Sequence, residues 1–258
     1  MNGCAFPVLS NRVVAQHLAK TFSGPAIAPH RAAWALLKHA DFRRVWFAGG
    51  LFGTIRWLEM LSVGVYTFDR TGSPLLVSAM MVARMLPMIL FGSVFGAYAE
   101  RFERRRLLLT GLSLMVVLSI VMAGLGQWIE YPLWLLAIAM FASGTFFATD
   151  FPVRRTILAE IAGVTRIGNA MAIDSATNNA TRMVGPALGG IVYQSLGLKG
   201  AYALAAIVLS VCLLLVLTVR FRSKPSLQLS TSVFANMVEG FRYIKGQPRL
   251  VGALVITM

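Results

Sequence analysis

The sequence predicts an all-α integral membrane protein, and three observations indicate this fold class. Hydrophobic residues make up 57% of the 258 residues and charged residues only 13%, which is too apolar for a soluble domain of this length. Apolar runs, several of them about 20 residues or longer as a membrane-spanning helix requires, alternate with polar segments. The lysines and arginines gather in alternate polar segments. Together these features identify the bilayer as the solvent of the chain.

Six apolar runs are predicted to cross the bilayer. The boundaries follow from the charged and turn-forming residues that separate the runs, because such residues favour the membrane surface over its interior. The predicted spans cover about residues 42–68, 75–99, 107–128, 133–148, 167–196 and 201–219.

The net charge of +14 would suggest a nucleic-acid partner if the basic residues formed one surface. Instead, 19 of the 24 lysines and arginines fall in segments predicted to be cytoplasmic, 2 in outer loops and 3 within spans. This asymmetry follows the positive-inside rule and places the N-terminus in the cytoplasm. We therefore expect membrane lipid, and not nucleic acid, as a partner. The spacing of histidines and cysteines predicts no metal site, and we expect no cofactor.

Four segments divide the chain. Residues 1–40 are predicted to form a disordered cytoplasmic leader, and residues 41–222 the bundle of spans. Residues 223–249 carry apolar side chains at helical spacing opposite charged ones, which predicts an amphipathic linker on the cytoplasmic surface. The apolar run 250–258 is too short to cross a membrane, and we interpret it as the start of a seventh span.

The turn after the second span carries the most specific motif. Residues 96–106 read Gly-Ala-Tyr-Ala-Glu-Arg-Phe-Glu-Arg-Arg-Arg between two apolar runs. This stretch resembles the loop between helices 2 and 3 of major facilitator superfamily transporters, usually Gly-x-x-x-Asp-Arg-x-Gly-Arg-Arg. Glu100 replaces the usual aspartate, and Glu103 stands where a turn glycine is common.

Shorter pieces extend this resemblance over about residues 41–258. They are similar to the bacterial exporter branch that includes enterobactin-type siderophore exporters and macrolide efflux pumps. The pieces are Phe-Arg-Arg-Val-Trp at 42–46, Arg-Thr-Gly-Ser-Pro at 70–74, Ala-Arg-Met-Leu-Pro at 83–87, Asp150-x-Pro152, Glu160, Asn169-Ala170, and the glycine-rich motif at 179–190.

The resemblance implies the N-terminal six-helix half of a twelve-helix major facilitator fold, followed by the start of a seventh helix. It implies alternating access around a site near the midplane, between two halves. The expected function is export of a small molecule such as a siderophore, macrolide or other drug across a bacterial inner membrane, driven by the proton gradient. The missing C-terminal half would be a partner, and the 258-residue chain is not expected to transport alone.

The resemblance also assigns a gate to the loop after the second span. Glu100 would pair with the basic residues and with the N-terminal end of a helix in the other half, where the helix dipole is positive. Asp150, expected at the same membrane face, is predicted to pair with Arg101 or Arg104. A plain basic loop is the alternative. The predicted gating residues are Gly96, Glu100, Arg101, Arg104, Arg105, Asp150 and Arg154.

Small residues four apart form two adjacent stripes along the fifth span. This spacing predicts tight helix packing. The resemblance adds an antiporter motif whose bendable packing against a helix of the other half would seal the transport pathway, and the sequence leaves that addition open. The stripes are Thr181, Gly185 and Gly189, and Arg182, Pro186 and Gly190.

Charged residues inside the predicted spans are the candidates for a substrate or proton pathway. Glu59 lies about 15 Å along the helix from Asp69, near mid-membrane. Desolvation there would favour the protonated carboxyl, whereas Arg56, three residues earlier on the same face, would favour the ionised form. A structural ion-pair network is the alternative to a functional site. In the functional interpretation, Arg182 or Arg84 would meet an anionic substrate, and Glu59 or Asp174 would carry a proton. The candidates are Arg56, Glu59, Arg84, Asp174, Asn178 and Arg182.

A non-transporting membrane scaffold or sensor with the same fold is the main alternative function. An enzyme is not expected, because the sequence contains neither His-Glu-x-x-His nor Gly-x-Ser-x-Gly and no paired aspartates at membrane depth.

Overall fold

The computed structural model describes the backbone of residues 36–101 and 103–221, and the side chains of 36–92 and 103–221. The predicted linker and seventh span, and most of the predicted leader, lie outside these ranges. Within them the chain is helical and contains no strand, which confirms the predicted all-α class. The helices are α1 (Ala40–Thr71), α2 (Pro74–Arg101), α3 (Arg104–Leu125), α4 (Leu133–Ala162) and α5 (Ile167–Leu217), with a short 3-10 turn at Val164–Arg166 before α5.

Four helical segments of the described chain are long and apolar enough to cross a membrane. They are Pro74–Gly92, Arg104–Leu125, Leu133–Ala162 and Val164–Leu217. The last has 54 residues, more than twice the roughly 20 that one crossing needs. Helix α1, at 32 residues, is also long enough but carries more charge.

Gly197 divides α5 into two arms, 167–196 and 198–217. Its φ of 67° and ψ of −171° are not helical, and a positive φ is a conformation that glycine adopts without steric cost. The boundary expected between the fifth and sixth apolar runs is therefore a single-residue break and not a loop. A similar glycine, Gly72 with φ of 62°, ends α1 and donates its N–H to the carbonyl of Phe68 at 2.7 Å.

Helix α4 is longer than the sequence predicts. The predicted fourth span ends at residue 148, with 150–155 at the cytoplasmic face and a connector at 156–166, but the helix α4 continues through Pro152 to Ala162. The charged residues Asp150, Arg154 and Arg155 resemble a loop in sequence, yet they are helical and each has an ion-pair partner. A proline inside a helix leaves a backbone carbonyl without its hydrogen bond, and neighbouring helices in a membrane bundle can satisfy that carbonyl.

The helices pack as α1 on α5, α2 on α4 and α3 on α5. Small residues allow α1 and α5 to approach closely. A β-carbon on Gly189 of α5 would lie 2.9 Å from the carbonyl oxygen of Leu58, and one on Gly185 would lie 2.4 Å from Cβ of Trp57. The buried core between the helices includes Leu58 and Leu209. This close contact fixes α5 against the helix that carries Arg56 and Glu59.

Candidate functional site

Eight charged side chains of the described chain lie about two turns or more from any helix end and from the break at Gly197. An ionised group in hydrocarbon costs at least about 2.5 kcal/mol on insertion scales, so such groups are expected to pair or to face water. All three carboxylates among them pair with an arginine. The pairs are Glu59 with Arg84, Asp150 with Arg154 and Asp174 with Arg155, and the two arginines outside these pairs are Arg56 and Arg182.

The pair of Glu59 and Arg84 joins three helices. Oε2 of Glu59 on α1 lies 3.1 Å from Nη1 of Arg84 on α2. The hydroxyl of Ser143 on α4 lies 3.0 Å from each carboxylate oxygen of Glu59 and donates to that carboxylate. All three residues are buried. Removing the charge of Glu59 would leave Arg84 buried without its carboxylate, which is the costly way to break a buried pair.

Arg84, and not Arg56, is therefore the ion-pair partner of Glu59. The sequence spacing placed Arg56 beside Glu59 on one helical face, but the carboxylate turns towards α2 and α4. Ser143 had not been predicted as a site residue. Its signal is a small polar residue beside Gly144 in the middle of an apolar run.

Asp150 pairs with Arg154, one turn further along the same helix. Nη2 of Arg154 lies 3.4 Å from Oδ2 of Asp150, and both residues are buried. The guanidinium of Arg154 fills the space above Gly49 on α1, where a β-carbon would lie 1.8 Å from Nη1. The contact of Arg154 with Gly49 therefore packs α4 closely against α1.

The predicted pairing of Asp150 with Arg104 is wrong. Arg104 pairs instead with Glu160, which lies ten residues, or about 15 Å, beyond Asp150 along α4. Asp150 thus lies well inside α4, about three turns before the residue that Arg104 binds. The side chains of the other predicted gate residues Gly96, Glu100 and Arg101 lie outside the described parts of the chain.

The remaining gate residue, Arg105, contacts the far end of α5. Its Nη2 donates to the carbonyl oxygen of Leu217 at 2.8 Å, and Arg44 on α1 donates to the carbonyl oxygen of Thr218 at 2.9 Å. Cations near the last carbonyls of a helix are favourable because the helix dipole is negative there. The basic starts of α1 and α3 therefore meet at the end of α5.

Asp174 on α5 pairs with Arg155 on α4. Nε of Arg155 lies 2.9 Å from Oδ2 of Asp174, and Nη2 donates to the hydroxyl of Ser175 at 2.9 Å. Asp174, Asn178 and Arg182 share one ridge of α5, as their spacing predicts. Yet Arg182 does not pair with Asp174, because the carboxylate is already bound across the helix interface.

The two unpaired arginines lie against aromatic rings. The guanidinium carbon of Arg56 is 4.1 Å from the ring centre of Phe147 on α4 and 4.8 Å from that of Trp57. The guanidinium carbon of Arg182 on α5 is 5.7 Å from the same Trp57 ring. A cation over an aromatic face is attracted by the ring quadrupole. Both arginines thus meet around one indole where α1, α4 and α5 come together.

The glycine-rich motif of α5 is divided between two environments. Thr181, Gly185 and Gly189 are buried against α1. Arg182 is exposed, whereas Pro186 and Gly190 are half-buried. The first stripe therefore packs within this chain, as small residues four apart predict.

These features define a helical, multi-pass membrane protein with charged residues paired inside its bundle. A family model described as Major Facilitator Superfamily matches residues 45–258. The chain belongs to this family, whose members are membrane transporters.

Several curated proteins are similar to the chain. The MFS-type transporter YfiS of Bacillus subtilis is 26% identical over 210 residues, covering 77% of this chain and 48% of YfiS. Macrolide efflux protein A of Streptococcus pyogenes is 19% identical, covering 83% and 54% of the two chains. The staphyloferrin A transporter of Staphylococcus aureus is 22% identical, covering 64% and 42%. The chain therefore spans about half the length of the curated relatives it matches.

Proposed function

We propose that the chain forms the N-terminal six-span half of a secondary transporter that exports a small molecule by alternating access. The six spans are α1, α2, α3, α4 and the two arms of α5. The family match supports this function, and the length of α5 with its break at Gly197 supports the span count. In this family's architecture the substrate site lies near the midplane, between two halves.

The orientation we propose has a cytoplasmic N-terminus in a bacterial inner membrane. The basic starts of α1 and α3 and the end of α5 gather at one end of the bundle, where Arg44 and Arg105 bind its last carbonyls. The opposite end carries Arg70 and Lys199 as its only basic residues in the described chain. Basic residues favour the cytoplasmic side of a membrane.

The buried cluster of Glu59, Arg84 and Ser143 is the single observation that carries a transport role. An ionisable residue inside a membrane is a functional candidate by default, because it is expensive to keep there. Glu59 connects three helices through one carboxylate. Protonation would remove its charge, release Arg84 and loosen α1, α2 and α4 from one another. We therefore assign the coupling proton to Glu59.

We propose the basic end of the bundle as the cytoplasmic gate. Arg104 on α3 and Glu160 on α4 form an ion pair across the interface, and Arg105 ties α3 to the end of α5. Such contacts hold the helices together at this end. The end of α2, which carries Glu100 and Arg101, would complete the gate with the other half of the transporter.

A scaffold or sensor remains the alternative, because the ion pairs of Glu59 and Asp174 also hold neighbouring helices together. A transporter would need these buried charges for substrate flux even when the protein is correctly folded, whereas a scaffold would need them only for its stability.

The test is proton-linked transport in everted membrane vesicles from cells that produce the protein together with the other half of the proposed transporter. A pH-sensitive dye reports proton movement on addition of a macrolide or of a siderophore. We expect the triple variant Glu59→Gln, Asp174→Asn, Arg182→Gln to lose the response. The exposed Arg106→Gln variant removes one charge outside the bundle and should retain the response. A wild type that gives no response above vesicles without the protein would favour the scaffold, and a triple variant that responds as the wild type does would reject the assigned roles of these three charges.

A further inference from the structure

Arg56 is a buried cation that forms no ion pair with any carboxylate of the described chain. Its side chain comes from the middle of α1, and the residue is only 8% exposed. It makes no hydrogen bond or ion pair with any described residue. Asp150 is near enough to act on it electrostatically, but that carboxylate is bound to Arg154.

The charges that face Arg56 make its position more unfavourable. Three arginines from three other helices act on it: Arg84 of α2, Arg154 of α4 and Arg182 of α5. Of the eight described charges far from the helix ends, five are arginines and three are carboxylates, and each carboxylate pairs with a different arginine. Within the described chain, Arg56 and Arg182 are therefore left without a carboxylate partner.

These two charges lie close together. Both guanidinium groups approach the ring of Trp57, at 4.8 Å and 5.7 Å. Nε1 of Trp57 is enclosed and has no acceptor among the described residues. Arg182 is exposed, so a solute can reach this group from its side. Two cations and an indole N–H thus lie close together, and none of them has a hydrogen-bond acceptor or an ion-pair partner in the described chain.

Aromatic stacking alone does not compensate the buried charge of Arg56. A cation over a ring gains about 0.5–2 kcal/mol, whereas an uncompensated charge at membrane depth costs at least about 2.5 kcal/mol. A carboxylate would supply the missing acceptors, since guanidinium groups bind carboxylates through paired, charge-assisted hydrogen bonds. Arg84, an alternative partner for an anion, is already occupied by Glu59.

We propose that Arg56 and Arg182, on either side of the α1–α5 interface, form a binding site for a small organic acid carrying carboxylate groups. The proposal rests on the proposed transport function, because it names the chemical class of the substrate. Trp57 and Phe147 hold Arg56 in place by stacking, and Arg182 presents the second charge from the exposed side.

The test is equilibrium binding to the purified protein in detergent, measured by calorimetry. The probe is naphthalene-2,6-dicarboxylate, whose two carboxylates are held apart by a rigid ring system. Its neutral dimethyl ester is the matched control for ring contacts alone. We expect the dicarboxylate to bind, and Arg56→Gln or Arg182→Gln to weaken that binding about tenfold or more, as the loss of a charge-assisted contact does. Arg56→Lys, which keeps the charge, should recover part of the affinity.

The control variant is Arg106→Gln, which removes an exposed arginine and should bind the dicarboxylate as the wild type does. Thermal unfolding of each variant shows whether it is folded. The preference for the dicarboxylate over its ester is a readout that a purely structural role of Arg56 would leave unchanged. Absence of wild-type binding at millimolar probe, or equal binding by folded Arg56→Gln and Arg182→Gln, would overturn the proposal.

The same variants separate this proposal from the transport function. Transport of an uncharged or cationic compound that is unaffected by Arg56→Gln would reject the organic-acid site and leave the transporter standing. Charge-selective binding that depends on both arginines, without any proton-linked flux in vesicles, would support the site and reject the transporter.

Discussion

Glu59 of α1 and Arg84 of α2 form an ion pair with a separation of 3.1 Å inside the helical bundle. The two residues are 25 positions apart, and Ser143 of α4 completes the cluster. One carboxylate thereby holds three helices together at a depth where charge is expensive. Loss of this carboxylate's charge would leave Arg84 buried without its ion-pair partner.

The first prediction concerns the close contact of α1 and α5. Gly189→Ala would place a β-carbon 2.9 Å from the carbonyl oxygen of Leu58, so the helices must separate. We expect a loss of about 1–3 kcal/mol in stability, as overpacking typically costs. The measurement is the Tm of the purified protein in detergent.

Gly190→Ala is the matched control, because its β-carbon would meet only the Cδ2 of Leu61, at an ordinary 3.8 Å. Its Tm should stay equal to that of the wild type or rise slightly, since alanine favours a helix interior over glycine. Equal effects of the two substitutions would contradict the packing of α5 described above.

The second prediction concerns the connection between α3 and α4. The hydroxyl of Tyr131 donates to the carbonyl oxygen of Met122 at 2.7 Å. Burial, with a smaller contribution from Tyr66, raises the pKa of Tyr131 from 10.0 to about 12. Tyr131→Phe removes the bond and should lower the stability by about 1 kcal/mol near neutral pH.

The sign of the pH dependence follows from the raised pKa. The unfolded chain releases the phenolic proton near pH 10.0, whereas the folded protein keeps it to about pH 12. The advantage of the wild type over Tyr131→Phe should therefore be constant below pH 10 and shrink between pH 10 and about pH 12. A difference in Tm that grows over this range would count against a buried hydroxyl.

The structure also explains why the sequence predicted the helices better than their partners. Helix ends at Gly72 and Gly197 are local properties, since a positive φ at glycine interrupts a helix wherever it occurs. The partner of Glu59 depends instead on how α1, α2 and α4 are rotated against one another. Local spacing favoured Arg56, three residues away, and the cross-helix contact with Arg84 prevailed.

The same limitation explains why the sequence did not predict that α4 continues to Ala162. Charged residues near a proline, such as Asp150, Arg154 and Arg155, are typical of a turn. Their place in the helix depends on contacts with other helices, because Gly49 leaves room for Arg154 and Asp174 binds Arg155. Such pairings join distant parts of the chain and leave no local pattern.

The third prediction concerns orientation. In a background with Cys4→Ser and Cys212→Ala, single cysteines at Ser73 and at Arg106 report the two ends of the bundle. Ser73 lies between α1 and α2, and Arg106 at the exposed start of α3. A membrane-impermeant maleimide added to intact cells should label Ser73→Cys and should label Arg106→Cys only after permeabilisation. The reverse pattern would place the basic end outside and remove the proposed cytoplasmic gate.

The fourth prediction concerns the role of Glu59, and a comparison of stability with transport tests it. Glu59→Gln leaves Arg84 buried without its carboxylate and should cost about 3–5 kcal/mol, read as a lower Tm. Glu59→Gln with Arg84→Met removes both charges, so most of that stability should return.

Proton-linked transport by this double variant, measured beside its Tm in everted vesicles that also contain the other half of the proposed transporter, is the most direct test of the coupling role of Glu59. If Glu59 carries the coupling proton, the double variant regains stability yet transports nothing above the background of vesicles without the protein. Transport that returns together with the Tm would show that the pair only holds the helices together, and it would contradict the proposed coupling role.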